Sequence, residues 1–135
     1  MKIAQLLLHN KAEVDQAQED GVTPLYAACH QGHVEVAQLL LQNKADVDRA
    51  AEDGATPLYI ACQEGHVEIA QLLLQNKADV DRARQDGTTP LYIASQEGKI
   101  DCINTLINHK ADVNLCDNKG ESPLYVACEG GYEQC

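Results

Sequence analysis

The chain has no phenylalanine, no tryptophan and a single methionine. A core built on large aromatic rings is therefore excluded, and the 44% of hydrophobic residues must pack through Leu, Ile, Val, Ala, Cys and Tyr. Basic side chains are also scarce, with 10 Lys and Arg against 21 Asp and Glu in 135 residues and a net charge of −11. So negative a surface repels phosphate backbones and anionic lipid heads, which argues against nucleic-acid binding and favours a basic partner. No apolar run approaches the ~18 to 20 residues of a membrane span, so no membrane insertion is expected. The apolar stretch from Ile3 to Leu8 is shorter than the hydrophobic region of a secretory signal, and a cytoplasmic or nuclear location follows as the expectation. With only 23% charged residues the chain does not resemble a disordered acidic tail. It is expected to fold as one domain, residues 1–135.

Four of the five tyrosines, Tyr26, Tyr59, Tyr92 and Tyr125, are spaced 33 residues apart. Two glycine series share the step (Gly21, Gly54, Gly87, Gly120 and Gly32, Gly65, Gly98, Gly131), as do all four prolines, Pro24, Pro57, Pro90 and Pro123. Self-similarity at such a period marks a repeat architecture. Residues 20–52 and 53–85 differ at only seven positions, whereas 86–118 has drifted further.

Each unit reads as two short helices. Thr56 supplies an N-cap hydroxyl, Pro57 starts the first helix where its missing N–H costs nothing, and Gly65 ends it. A second helix is predicted from Val67 to Gln75, with Ile69, Ala70, Leu72 and Leu73 as its apolar stripe. The segment after it is extended, and Asp86-Gly87 marks a tight turn before the next Thr-Pro. Helices this short are unstable alone in water, so stacking of the copies must hold them.

The series Asp-Gly-x-Thr-Pro-Leu-Tyr-x-Ala, Gly-His-Val-Glu-x-Ala-Gln-Leu-Leu-Leu and Ala-Asp-Val-Asp, in register over the whole chain, resembles the ankyrin repeat. The resemblance implies an all-α solenoid of stacked helix-turn-helix units with β-turn or hairpin loops. Its full repeats would be 20–52, 53–85 and 86–118, flanked by partial repeats at 1–19 and 119–135. Two departures stand out. Tyr replaces the usual His, putting a larger ring in the inter-repeat slot, and Lys11, Lys44, Lys77 and Lys110 replace the usual Gly after the second helix, which predicts strain of ~1 kcal/mol.

Six cysteines raise the question of a disulfide scaffold, and their spacing answers it. Cys29, Cys62 and Cys128 hold one repeat position, with Ser95 in the third copy, and stacked helices separate equivalent atoms by ~8 to 10 Å, beyond the ~7 Å Cα limit of a disulfide. They are read as buried small hydrophobes. Cys102 and Cys135 fall at the second-helix position of Val36 and Ile69, while Cys116 stands in a loop and is expected to be exposed. No C-x-x-C motif suggests zinc, and free thiols suit a reducing compartment.

His33 and His66 share a position with Lys99 and Tyr132, so no imidazole function is maintained there, and both are read as packing on the preceding turn. His9, His30 and His109 are isolated. The pairs Asp46-Asp48 and Asp79-Asp81 sit in extended segments, and no phosphate loop or nucleophile elbow is present. Neither an enzyme nor a cofactor or metal site is read from these residues.

What remains is a surface. In the family it resembles, partners bind the turn tips and the exposed side of the first helices, on the concave face. Carried onto this sequence, the tips are Ala17, Glu19, Asp20 and Val22; Ala50, Glu52, Asp53 and Ala55; Ala83, Gln85, Asp86 and Thr88; and Cys116, Asn118, Lys119 and Glu121. The helix positions are His30, Gln31, Gln63, Glu64, Gln96, Glu97 and Glu129. Every unit is net negative, so the expected function is a non-catalytic scaffold or adaptor whose acidic concave strip docks a basic peptide or protein face. The competing reading is that the acids only keep the solenoid soluble. Other classes the resemblance leaves open are the recognition part of a larger protein (a channel's cytosolic region, a ubiquitin-ligase substrate receptor or a host-directed effector), an engineered repeat binder, and an enzyme in the drifted unit around Cys116 or His109.

Asn114, where the other copies have Asp15, Asp48 and Asp81, resembles the asparagine hydroxylation acceptor of some ankyrin repeats. The bland Ala50 and Ala55 and the units left incomplete at both ends suggest a piece of a larger natural array. Ile3, Leu6, Leu7, Tyr125 and Val126 would lack stacking neighbours, which predicts end-to-end self-association.

Overall fold

A computed structural model describes residues 2–132. Eight helices lie among the described residues: α1 (Lys2–His9), α2 (Pro24–Gln31), α3 (Val34–Gln42), α4 (Pro57–Glu64), α5 (Val67–Gln75), α6 (Pro90–Gln96), α7 (Ile100–Asn108) and α8 (Pro123–Glu129). There is no strand among those residues, and the architecture is an all-α solenoid of helix-turn-helix units. The first helices of the units, α2, α4, α6 and α8, form one row and the second helices another.

The first helices start as their residues dictate. Thr23, Thr56, Thr89 and Ser122 each sit in extended backbone and accept the N–H of the tyrosine three residues on, at 3.1 to 3.2 Å. Such a cap contributes ~1 kcal/mol. Gly65 ends α4 at φ +77°, in the left-handed region. α5 runs from Val67 to Gln75 as expected, but its buried side chains are Ile69, Ala70, Leu73 and Leu74. Leu72 is only half-buried, because the helix is rotated so that Leu74 takes the inner position.

The second helices end in a repeated device. Asn10, Asn43 and Asn76 donate Nδ2–H to the carbonyls of Leu6, Leu39 and Leu72 at 2.8 Å, and in the third copy His109 Nδ1 does the same to Thr105 at 3.0 Å. His109 is therefore a helix-end residue. The lysines that follow, Lys11, Lys44, Lys77 and Lys110, hold φ between +67° and +69°, the left-handed conformation their place in the repeat demands.

Successive units are stitched along their loops. Asp15, Asp48 and Asp81 accept the backbone N–H of Asp46, Asp79 and Asp112 in the next copy, through both carboxylate oxygens at 3.1 to 3.3 Å. These aspartates are inter-repeat acceptors, a use the extended-segment reading had not seen. His66 also differs from expectation. It packs on the preceding unit and not on its own turn: Nε2 lies 3.1 Å from the His30 carbonyl oxygen, and a methyl group on Gly32 would meet the ring at 2.8 Å. The Lys99 stem over Gly65 and the Tyr132 ring over Gly98 repeat that contact with different chemistry, which is why the position tolerates His, Lys and Tyr.

The core is a seam along the stack, running through Leu25, Leu58, Ile69, Leu73, Leu91 and Leu106. Cys29, Cys62 and Cys102 are buried in it, with burial pushing the Cys29 thiol up to about 12. Cys62 and Cys102 face each other from non-equivalent positions, a pairing the spacing argument had not anticipated. That contact, together with burial, raises Cys62 well above the usual thiol range. Cys116 is exposed as expected. Cys128, expected to be buried, is exposed, because among the described residues α8 packs mainly on its α6 side. Val126, read as unstacked, is buried against α6, and Leu124 is the apolar residue of α8 left 72% exposed. Cys135 lies outside the described residues.

Candidate functional site at the turn tips

The turn before each first helix projects at one edge of the first-helix row. Asp20, Asp53 and Asp86 shape these turns, each accepting through Oδ1 the N–H two residues on, from Val22, Ala55 and Thr88. In the fourth copy Lys119 takes that place, and Asp117 accepts the N–H groups of Lys119 and Glu121 instead, at 2.9 Å. These bonds, led by the one from Glu121, hold the Asp117 carboxyl below the usual carboxylate range. Backbone bonds run from tip to tip: the N–H groups of Glu52, Gln85 and Asn118 donate to the carbonyls of Asp20, Asp53 and Asp86 at 2.8, 3.2 and 3.0 Å. The tips thus form one continuous, spatially fixed strip.

Glu19, Asp20, Glu52, Asp53, Gln85, Asp86, Asn118 and Lys119 are exposed on this strip, as are His30, Gln31, Glu64, Gln96, Glu97 and Glu129 on the helices. Val22 and Gln63 are half-buried. Two expected contact residues are corrected by their burial. Ala55 is 2% exposed and Thr88 6%, because the turn folds them under the tip at the start of the helix, where neither has surface to offer. Gln85 and Asn118 are exposed but committed, donating side-chain N–H to the carbonyls of Glu52 and Gln85 at 2.8 and 2.9 Å.

The residue that sequence reasoning missed is Arg84. Its guanidinium lies 5.3 Å from the centre of the Tyr59 ring and donates from Nη1 to the Tyr59 hydroxyl at 3.2 Å. Nη2 stands 3.6 Å from Asp53 and 3.9 Å from Asp86. Tyr59 is itself buried, and its hydroxyl also lies 3.1 Å from Thr88 Oγ1. Burial pushes the Asp86 carboxyl up, but the two hydrogen bonds from Thr88 and the charge of Arg84 outweigh it and leave the group below its usual range. A signal for Arg84 was present: positions 51 and 84 are one of the seven differences between otherwise matching copies.

The tyrosine slot is filled differently in each copy. Tyr92 donates its hydroxyl to Asp117 Oδ2 at 3.1 Å, and burial followed by that bond raises its pKa. For Tyr26 the corresponding residue is Ala51, which has no polar side chain to meet the tyrosine hydroxyl. Beside it opens a cavity of about 520 Å³ lined by Asp20, Val22, Tyr26, Ala51, Glu52, Asp53 and Gln85. Burial, then the charge of Asp53, raises the Tyr26 pKa, so its hydroxyl is protonated and able to donate or accept at neutral pH.

Asn114 is exposed, with its N–H bonded to Asp112 Oδ1 at 3.0 Å, and borders a cavity of about 430 Å³ that includes Leu91, Ile103 and Tyr132. Among the described residues no group of three His, Cys, Asp or Glu side chains is placed to hold a metal ion, and no helix is long and apolar enough to cross a membrane. A search of curated proteins finds no match. The family model described as ankyrin repeats (3 copies) matches residues 1–84 and 78–135. With the whole length matched and the two-helix unit seen in register, the chain belongs to the ankyrin-repeat family.

Proposed function

We propose that the protein is a non-catalytic scaffold or adaptor module that holds a basic peptide, or the basic face of another protein, on its turn tips and first helices. Ankyrin repeats are in general protein–protein interaction modules. The observation that carries the more specific reading is the cavity at the first two tips, where the carboxylates of Asp20, Glu52 and Asp53 line a recess of about 520 Å³. Only Asp53 and Asp86 of the tip acids form an ion pair among the described residues, both with Arg84, which leaves Asp20 and Glu52 to attract an outside cation. Buried free thiols at Cys29, Cys62 and Cys102 support a reducing cytoplasmic or nuclear setting. The exposure of Asn114 supports a role as hydroxylation acceptor, for which the check is a mass gain of one oxygen on its peptide.

Titration with a short lysine-rich peptide tests the main reading. Binding should weaken as salt rises, and the combined variant Glu52→Gln, Asp53→Asn, Glu64→Gln and Asp86→Asn should bind at least about tenfold more weakly. Equal affinity of the variant would leave the acids as solubility devices alone. A second reading, end-to-end self-association, rests on the exposed Ile3, Leu6 and Leu7 at one end and Leu124 and Tyr125 at the other. Light scattering that shows a monomer at all concentrations would remove it.

A further inference from the structure

We propose that the recess beside Tyr26 is a guanidinium subsite that takes one arginine side chain of the basic partner, an inference that rests on the function proposed above. The molecule contains the template for it. One unit further along, Arg84 occupies the same slot: it lies over Tyr59, bonds the Tyr59 hydroxyl at 3.2 Å and stands 3.6 and 3.9 Å from Asp53 and Asp86. Stepping back by one repeat turns Tyr59 into Tyr26, Asp53 into Asp20, Asp86 into Asp53 and Arg84 into Ala51. The tyrosine and both carboxylates that receive the guanidinium are retained, Asp53 being shared with Arg84, and the guanidinium itself is absent.

The vacancy is real in space. Four of those groups, Asp20, Tyr26, Ala51 and Asp53, line the cavity of about 520 Å³, a volume within the usual range of ligand sites. The second support that Tyr59 has, the Thr88 hydroxyl at 3.1 Å, is also gone, because Ala55 stands at that position. The Tyr26 hydroxyl is therefore left open to an outside donor. A guanidinium suits the slot better than an ammonium, since it can lie flat on a ring and send separate N–H groups to a phenol oxygen and to two carboxylates. The third version of the slot shows that the position is chemically selective: at Tyr92 the chain supplies Asp117, an acceptor, and the tip carries Lys119 in place of an aspartate.

The test uses the whole chain and three blocked tripeptides, glycine-X-glycine with X as arginine, lysine or citrulline, followed by amide NMR. The arginine peptide should shift the resonances of Tyr26, Ala51 and Asp20 and bind at least about threefold more tightly than the lysine peptide, and citrulline should not bind. Ala51→Arg should fill the slot from within, lower affinity for the arginine peptide at least about tenfold and leave the thermal unfolding midpoint unchanged or raised. Arg84→Ala, checked for folding by circular dichroism, should open a second site whose shifts centre on Tyr59. Shifts confined to other tips, or an Ala51→Arg variant that binds arginine like the parent, would overturn the subsite while leaving the acidic binding face intact. Loss of all binding, including that of the lysine-rich peptide, would instead remove the function on which it rests.

Discussion

Leu58 and Leu124 hold the same place in the repeat, each after a Thr/Ser-Pro start and before a tyrosine, yet Leu58 is fully buried and Leu124 is 72% exposed. Tyr59 and Tyr125 show the same contrast, 1% against 53%, and so do Cys62 and Cys128. Local structure is alike in both places: the hydroxyl cap closes at 3.1 Å in each. What differs is that α4 is packed between α2 and α6, whereas α8 packs mainly on α6 among the described residues. A unit of this kind makes its own helices but borrows its core from its neighbours, so identical residues contribute very different amounts of stability along the stack.

Leu58→Ala against Leu124→Ala is the strongest way to break that comparison. The first should cost ~2 to 5 kcal/mol in chemical denaturation through transfer and cavity terms, the second less than ~0.5 kcal/mol. Equal losses would mean that stability is set within each unit. A smaller effect separates the loop acceptors: Asp48→Ala removes the partner of the Asp79 N–H and should cost ~1 kcal/mol, whereas Asn114→Ala, at the equivalent position with no such bond among the described residues, should be neutral within ~0.5 kcal/mol. The smallest effect has the opposite sign. Lys77→Gly relieves a left-handed backbone at φ +69° and should stabilise by ~0.5 kcal/mol after the entropy gained by the unfolded chain is subtracted. Because this strain is local, Lys11→Gly should gain a similar amount; a gain at one position only would show that the turn, too, depends on neighbours.

Much of the helical geometry was legible from Thr-Pro starts, glycine stops and the apolar spacing, because capping and backbone conformation act over a few residues. The rotation that buries Leu74 in place of Leu72 was not, since it depends on which side the adjacent second helix packs. The tip acids could be carried over from a family resemblance, but the inward fold of Ala55 and Thr88 and the pairing of Arg84 with Tyr59 across 25 residues depend on how each loop folds against a helix, and the bonds that commit Gln85 and Asn118 join groups from different copies. Periodicity alone does not say which offset brings two side chains together. The same limit applies to the histidines: His, His, Lys and Tyr at one position read as an absence of function, while in space three of them cover the left-handed glycine after the previous unit's first helix.

By itself the sequence determined the repeat length, the two-helix unit, the hydroxyl caps, the turn carboxylates and the distribution of negative charge over every copy. These follow from short-range stereochemistry and from counting. The tertiary structure alone decided which copies share a core, which tip residues remain free, and where a tyrosine has a guanidinium, a carboxylate or an open cavity beside it. Those are properties of chain segments brought together in space, a loop folded back on its helix or one unit laid against the next, and short-range stereochemistry does not contain them.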